Sequence, residues 1–235
     1  MKVTSVCAIA VIAFMACHAT RATPYDAFND FSLTNNPNGT WSYGFGTPGT
    51  SFTGYSTSVT NCTGIAGLSC RDVFTNSVPY VGENVTGSPI HSGSLTIPIG
   101  SLDIHPYVSP SDTIVQWTAP STGNWQITGS YELLDSSSFG ATALIYAGAT
   151  QLLDDALTTS SSSVHFSFTE SLTAGETLEF AEGPNSSGVY FSDSTGFDAT
   201  VSSVPEPASL ALLCAALAGF GVIHPRKSAS VGGKA

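Results

Sequence analysis

Hydrophobic and polar residues alternate in the central part of the chain, over a run long enough to form a strand. In residues 125–134, with the sequence WQITGSYELL, almost every second position is apolar. Successive side chains of a strand point to opposite faces, so this period of two predicts a strand with one buried face. The buried face is expected to carry Trp125, Ile127, Gly129, Tyr131 and Leu133, and the other face Gln126, Thr128, Ser130 and Glu132.

Similar short runs, separated by turn signals rich in Gly, Pro and Ser, recur through the central region. No stretch of about 12 residues there has the 3.6-residue periodicity of an amphipathic helix. The pattern therefore predicts an all-β fold, a single β-sandwich or jelly-roll-like domain over residues 23–204. Further strands are predicted at residues 113–118, 141–147, 151–153, 164–168, 177–180, 188–191 and 197–201.

The first 22 residues have the three parts of a secretory signal instead. Lys2 supplies the positive charge, residues 6–16 form an apolar run of 11, and small residues lead to a cleavage site after Ala22. A membrane-spanning helix needs about 20 apolar residues, so this run is too short to be an anchor. We expect residues 1–22 to be a signal peptide that directs export through the secretion translocon.

The last 31 residues, 205–235, contain a second signal with three parts. A Pro-Glu-Pro tripeptide is followed by 16 uncharged, mostly apolar residues at 208–223 and then by a basic pair. A helix of 16 residues is about 24 Å long, which is marginal for a hydrocarbon core of about 30 Å. Positive charge after the span keeps that end cytoplasmic and the preceding domain outside. The defining residues are Pro205, Glu206, Pro207, Arg226 and Lys227.

This tail closely resembles the PEP-CTERM sorting signal, although residues 228–235 extend beyond the usual end of such tails. The family's tail is recognised by a membrane transpeptidase of the exosortase type, so the resemblance implies cleavage near the tripeptide and a transient membrane contact. It also implies a Gram-negative host that makes exopolysaccharide. The precursor would be anchored in the inner membrane, and the mature protein would lie at the cell surface or in the extracellular matrix. An ordinary C-terminal anchor is the alternative.

Residues 105–201 also resemble a β-sandwich module that is common in proteins with this tail. The resemblance depends on the order of the pieces: His105-Pro106, a strand containing Trp117, a Gly turn, a long second strand and the turn at residues 172–176. None of these motifs is catalytic in the family. The resemblance therefore implies a fold and no particular chemistry.

Composition and charge limit the kinds of partner that the domain is expected to bind. Ser and Thr number 34 and 27, whereas charged residues make up only 10% of the chain. Between residues 23 and 204 there are 16 acidic residues and one basic residue, Arg71, for a net charge of −15. Nucleic-acid and phosphate recognition need clustered Lys and Arg, so neither kind of partner is expected.

Only Cys62 and Cys70 fall inside the predicted domain. Cysteines of exported proteins usually pair in an oxidising compartment, so we expect a structural disulfide between these two. Two free thiols or a metal pair are the alternatives, but a zinc site would need further Cys or His nearby.

No catalytic motif stands out. The predicted domain has no Lys, no Gly-x-Ser-x-Gly elbow and no His-Glu-x-x-His sequence. Its three histidines are His91, His105 and His165, and His165 is expected to be exposed on a strand. We therefore expect a protein that is not an enzyme and needs no cofactor, with a secreted glycosidase that uses two carboxylates as a distant alternative.

Two binding features are present. Trp41, Tyr43 and Phe45 share one face of an extended segment, and Trp41 and Tyr43 could stack on sugar rings if they are not simply core residues. Asp193 and Asp198 could hold a structural Ca²⁺ through oxygen ligands. The sequence thus favours a non-catalytic cell-surface or exopolysaccharide-matrix protein, with a lectin-like carbohydrate-binding module as the alternative.

Overall fold

The computed structural model describes residues 24–108 and 111–205, and these residues form an all-β domain. The predicted signal peptide, 1–22, and the predicted membrane span, 208–223, lie outside the described residues. Within the described part, no helix is long and apolar enough to cross a membrane, and the helical structure is one 3-10 turn, Cys62–Gly64. The strands are β1 (Tyr25–Asp26), β2 (Trp41–Gly46), β3 (Thr53–Gly54), β4 (Thr57–Thr60), β5 (Leu68–Asp72), β6 (Tyr80–Asn84), β7 (Ile90–Ser92), β8 (Leu95–Ile97), β9 (Leu102–His105), β10 (Asp112–Thr118), β11 (Gly123–Leu133), β12 (Ala141–Ala147), β13 (Thr150–Leu157), β14 (Ser163–Leu172), β15 (Thr177–Pro184) and β16 (Thr195–Ser203).

Two antiparallel sheets form a sandwich. One has eight strands in the order β14-β11-β16-β9-β6-β5-β4, with β1 paired to β16, and the other has six in the order β13-β12-β15-β10-β2-β3. The two sheets pack face to face. Trp117 of β10 and Trp125 of β11 meet between them, with ring centroids 4.9 Å apart. The predicted all-β sandwich is confirmed.

The alternation in β11 places its apolar face in the core as predicted. Trp125, Ile127, Tyr131 and Leu133 are buried, whereas Glu132 is exposed. Gly129 lies on the same face, and the Phe166 ring fills the space beside it. A Cβ at this position would lie 2.5 Å from the Phe166 ring and 2.2 Å from the Asp198 carbonyl oxygen. The glycine therefore lets β14 and β16 pack closely against β11.

Six of the predicted strands correspond to β10, β12, β13, β14, β15 and β16, with ends that differ by up to a few residues. The strand predicted at residues 188–191 is wrong, because this segment is part of an irregular loop. Asn185 causes the difference: its Oδ1 accepts from the Ser187 backbone N–H at 2.9 Å, and its carbonyl accepts from the Gly188 N–H at 2.8 Å. Local turn bonds replace sheet pairing there.

A smaller apolar cluster lies beside the main core and contains the disulfide. Cys62 and Cys70 are bonded to each other, and both are fully buried. They pack with Leu68, Tyr80 and Ile97. The predicted disulfide is confirmed, and it joins the 3-10 turn to β5.

Candidate functional site

The last strand of the domain leads directly into the predicted sorting signal. Ser203 ends β16 opposite Trp125 of β11, and the Val204 backbone N–H donates to the Asn124 carbonyl at 2.8 Å. Pro205, the first residue of the tripeptide, is exposed. Glu206, Pro207, Arg226 and Lys227 lie outside the described residues. The sheet pairing therefore continues to within one residue of the signal.

We call this end of the sandwich, formed by residues 121–124, residues 171–173 and Val204, the terminal pole. Its loops are tied together, since the Ala174 N–H donates to Thr122 Oγ1 at 3.0 Å and Ser171 Oγ donates to Asn124 Oδ1 at 2.5 Å. A cleft of about 370 Å³ lies between them, lined by uncharged residues. Glu176 Oε2 also accepts from the Thr173 backbone N–H at 3.0 Å. The terminal pole is thus a hydrogen-bonded surface with an uncharged cleft, and the tail departs from it.

Of the two alternatives given for Trp41 and Tyr43, sugar stacking and core packing, the structure supports core packing. Trp41 and Tyr43 lie on β2, which pairs with β10 inside the six-stranded sheet, and both rings are fully buried in the main core. Trp41 Nε1 donates to Asp30 Oδ2 at 3.2 Å, and the Tyr43 hydroxyl donates to the Asp30 carbonyl at 3.1 Å. Stacking on a sugar is therefore corrected to core packing, because neither ring face reaches solvent.

The two predicted calcium ligands have separate surroundings. Asp193 is fully buried and accepts from Ser138 Oγ at 2.8 Å, whereas Asp198 is half-buried on β16 opposite Ser130. Burial raises the pKa of both carboxyls, that of Asp193 to about 6. Over residues 24–108 and 111–205, no group of three His, Cys, Asp or Glu side chains is arranged to hold a metal ion. The structure does not bring Asp193 and Asp198 together on a shared partner.

Sequence reasoning missed a set of carboxyl groups buried inside the sandwich. Asp103 and Glu182 are fully buried, with Asp103 Oδ2 accepting from the Tyr80 hydroxyl at 2.9 Å and Glu182 accepting from Thr195 Oγ1. Each carboxyl, like that of Asp193, keeps one buried oxygen without a hydrogen-bond partner. Burial raises the pKa of Asp103 to about 7 and that of Glu182 well above its ordinary value. Asp103 lies on β9 and Glu182 on β15, both outside the strand bounds predicted from the sequence, and no periodicity marks them as buried.

The three described histidines have few partners. His105 is buried and bonds the Pro106 carbonyl at 2.9 Å, and burial lowers its pKa to about 4. His91 is exposed and contacts Thr96 Oγ1 at 3.1 Å, and His165 is exposed and contacts Ser163 Oγ at 3.4 Å. Among the described residues, none of the three hydrogen-bonds a carboxylate, which is the orienting contact of a Ser-His-Asp arrangement.

The solved structures to which this chain is similar include carbohydrate-binding modules. The CBM51 of Clostridium perfringens GH95, solved with methyl-galactose, is 10% identical with a TM-score of 0.38, covering 63% of this chain and 100% of its own. The CBM35 of Paenibacillus barcinonensis is 14% identical with a TM-score of 0.33, covering 78% and 100%. The family 35 module of Clostridium thermocellum is 16% identical with a TM-score of 0.29, covering 45% and 80%. No curated protein sequence matches the chain.

Residues 203–227 match the family model of the PEP-CTERM protein-sorting motif. The match begins at Ser203, the last residue of β16, and includes the Pro-Glu-Pro tripeptide and the basic pair. The motif implies an exported protein that is anchored in a membrane before exosortase, a membrane enzyme, processes it. The chain therefore carries a PEP-CTERM protein-sorting motif joined directly to an all-β domain.

Proposed function

We propose that this chain is a non-catalytic protein of the cell surface or exopolysaccharide matrix of a Gram-negative bacterium. In this proposal a signal peptide at residues 1–22 directs the chain to the secretion translocon, and exosortase removes the tail after export. One observation carries the proposal: the sorting motif starts at the last residue of β16 in a folded, disulfide-bonded domain. A protein that exosortase sorts requires a folded domain with a sorting motif at its C-terminal end.

The short distance between the domain and the span supports this function. Four residues, 204–207, separate Ser203 from the apolar run that starts at residue 208. Fully extended, they reach at most about 14 Å. The anchored precursor would therefore hold its terminal pole next to the lipid headgroups, and the tripeptide would lie within reach of a membrane enzyme.

The surroundings of the three described histidines support a non-catalytic role. The exposed His91 and His165 side chains contact hydroxyl groups, and His105 is buried against a backbone carbonyl. The proposal requires no cofactor.

Substitution of the tripeptide glutamate tests the sorting role. In the native host, Glu206→Ala should accumulate a slower-migrating precursor in the membrane fraction, as should a strain that lacks exosortase. The matched control is Glu132→Ala, an exposed glutamate on β11, which should be processed normally. Normal processing and release of Glu206→Ala, or of the wild-type chain without exosortase, would contradict the proposal.

Carbohydrate binding is a second candidate function, and one observation favours it. The Phe139 ring is 71% exposed at the edge of a cleft that also contains the Asp154 carboxylate. An exposed aromatic face beside a hydrogen-bond acceptor is the combination that sugar recognition uses.

A further inference from the structure

We infer that the cleft beside Phe139 binds a neutral polysaccharide segment. The cleft has a volume of about 500 Å³ and lies between β12, β13 and the loop that follows β15. This volume is within the range of about 300–1,000 Å³ that is typical of small-ligand sites. The residues that carry the argument are Phe139, Thr142, Asp154, Thr158 and Asn185. We call this the Phe139 cleft.

The Phe139 backbone is fixed by hydrogen bonds on both sides. Asn185 Nδ2 donates to the Phe139 carbonyl at 2.7 Å, and the next residue, Gly140, donates its N–H to Ser138 Oγ at 2.9 Å. Ser138 Oγ itself donates to the buried Asp193 at 2.8 Å. Gly140 has φ +100, and a Cβ there would lie 2.6 Å from the Leu157 carbonyl oxygen, so the segment packs closely on β13. These contacts fix the backbone that carries the exposed Phe139 side chain.

Exposure of this ring is unfavourable for the isolated domain. Phe139 is the most exposed of the large hydrophobic side chains in the described part of the chain, at 71%. A phenylalanine side chain left in water forgoes most of the stabilisation that its burial would contribute. An exposed ring on a fixed backbone suits a binding surface, because only side-chain rotamer freedom is lost when a ligand covers it.

The polar groups of the cleft match hydroxyl groups of a ligand. The Asp154 side chain is exposed, and its Oδ2 accepts from Gln151 Nε2 at 3.1 Å. Its Oδ1 has no hydrogen-bond donor among the described residues, so it can accept from a ligand hydroxyl. Thr158 also lines the cleft, as does Thr142, whose hydroxyl donates to the Pro184 carbonyl at 3.2 Å and can still accept a hydrogen bond. A sugar ring offers the complementary surface, with apolar C–H groups on one face and hydroxyl groups around its edge.

Charge selects a neutral ligand over an acidic one. Asp154 is the charged residue among those that line the cleft in the described structure. The sequence from residue 23 to 204 has a net charge of −15, because it contains 16 acidic residues and one basic residue, Arg71. Uronic acids, sulfated sugars and phosphates would be repelled by Asp154 and by this field. Neutral hexose polymers avoid that repulsion.

The orientation of the domain keeps the cleft accessible. Ala141, at the start of β12, pairs with Leu157 and Pro184 near the cleft, whereas the far end of β12 leads to Gly148, whose N–H donates to the Thr177 carbonyl near the terminal pole. Seven residues of strand separate these ends, about 20 Å. The cleft therefore faces away from the end that carries the tail. The inference rests on the proposed function in one respect, which is that a cell-surface protein meets polysaccharide. Binding in the cleft does not depend on sorting.

Affinity electrophoresis of the full-length chain in mild detergent tests this site. Native gels would contain dextran, galactan or mannan as neutral probes, and alginate as an acidic probe. At least one neutral polymer should retard the wild-type chain, and Phe139→Ala should reduce the affinity about tenfold. Asp154→Asn should also reduce it, since a carboxylate accepts hydroxyl hydrogen bonds more strongly than an amide.

The matched control is Phe74→Ala, which removes a ring of similar exposure, 62%, outside the cleft and should leave retardation unchanged. Thermal unfolding of each variant would check that its fold is intact. Equal mobility of the wild type in every neutral gel, retardation by alginate alone, or unchanged affinity of Phe139→Ala would overturn the inference. None of these results depends on tail processing, which Glu206→Ala tests separately.

Discussion

Tyr25 pairs with Val201 in antiparallel register, so the first and last strands of the described domain lie side by side. The Ala27 N–H donates to the Ala199 carbonyl at 2.9 Å, and the Tyr25 ring lies 5.5 Å from that of Trp117. Because the two strands run in opposite directions, the chain enters and leaves the sandwich at the same end. The predicted signal peptide and the sorting motif are thus both joined to the terminal pole.

The mature protein should begin after Ala22. An 11-residue apolar run has no role once export is complete, and Tyr25 is already paired in the sheet only a few residues later. N-terminal sequencing of the exported protein checks this expectation. Exported protein that starts at Met1 would show that the segment is retained.

The mature protein should also lack residues 208–235. The apolar run of 16 residues is only marginally long enough to hold the domain in a bilayer, which suits a temporary anchor. Intact mass spectrometry of the exported protein measures the loss directly. A mass that still includes these 28 residues would reduce the tail to an ordinary membrane anchor.

Removal of the disulfide should destabilise the domain by about 2–3 kcal/mol, because the bond closes a short loop and lowers the entropy of the unfolded chain. The double variant Cys62→Ser/Cys70→Ser, unfolded by denaturant beside the wild type, measures the difference. Reduction of the wild type supplies the control and should shift it to the same midpoint. The variant in reductant should show no further shift, and an equal midpoint for the oxidised wild type and the variant would contradict the expectation.

The domain should lose stability as the pH rises from about 4 to 7. Burial raises the pKa of Asp103 from 3.8 in its ordinary state to about 7 in the folded state. The folded state therefore holds a proton that the unfolded state releases. This contribution is complete below the unfolded pKa and is lost as the pH rises through the folded value, at up to about 1.4 kcal/mol per pH unit. Raised pKa values of Glu182 and Asp193 act in the same direction. Burial lowers the pKa of His105 from 6.5 to about 4, which acts in the opposite direction between these two values but is outweighed by the three carboxyls.

Denaturant midpoints between pH 4 and 8 measure this dependence. Asp103→Asn keeps an acceptor for the Tyr80 hydroxyl and should flatten the profile, whereas Asp155→Asn, an exposed control on β13, should leave it unchanged. An Asp103→Asn profile with the same slope as the wild type would show that the Asp103 carboxyl holds no extra proton in the folded domain.

Gly129→Ala should destabilise the domain by roughly 1–3 kcal/mol, as overpacking of a close-packed core does. The added methyl group would lie 2.2 Å from the Asp198 carbonyl oxygen, so β16 would have to move. Gly123→Ala is the matched control on the same strand, because the nearest atom to its methyl group is 4.0 Å away. Equal thermal midpoints for the two variants would contradict this account of the packing.

Local features of the sequence determined the strand faces, the sorting motif and the disulfide of this protein. The alternation in residues 125–133 fixed which side chains of β11 face the core, because a strand has the same period of two in any sheet. The tripeptide, the apolar run and the basic pair identified the sorting motif, which is read as a linear signal. The disulfide was also predictable, since only Cys62 and Cys70 fall within the domain.

Tertiary structure decided the rest. Trp41 and Tyr43 alternate in the same way whether their face meets solvent or a second sheet, and only the packing against the eight-stranded sheet buries them. Asp103 and Glu182 are buried because the second sheet covers them. Phe139 is a candidate binding residue because the loop after β15 forms one side of its cleft. Periodicity determines which residues share a face, whereas burial and pKa depend on what is packed against that face by contacts distant in the sequence.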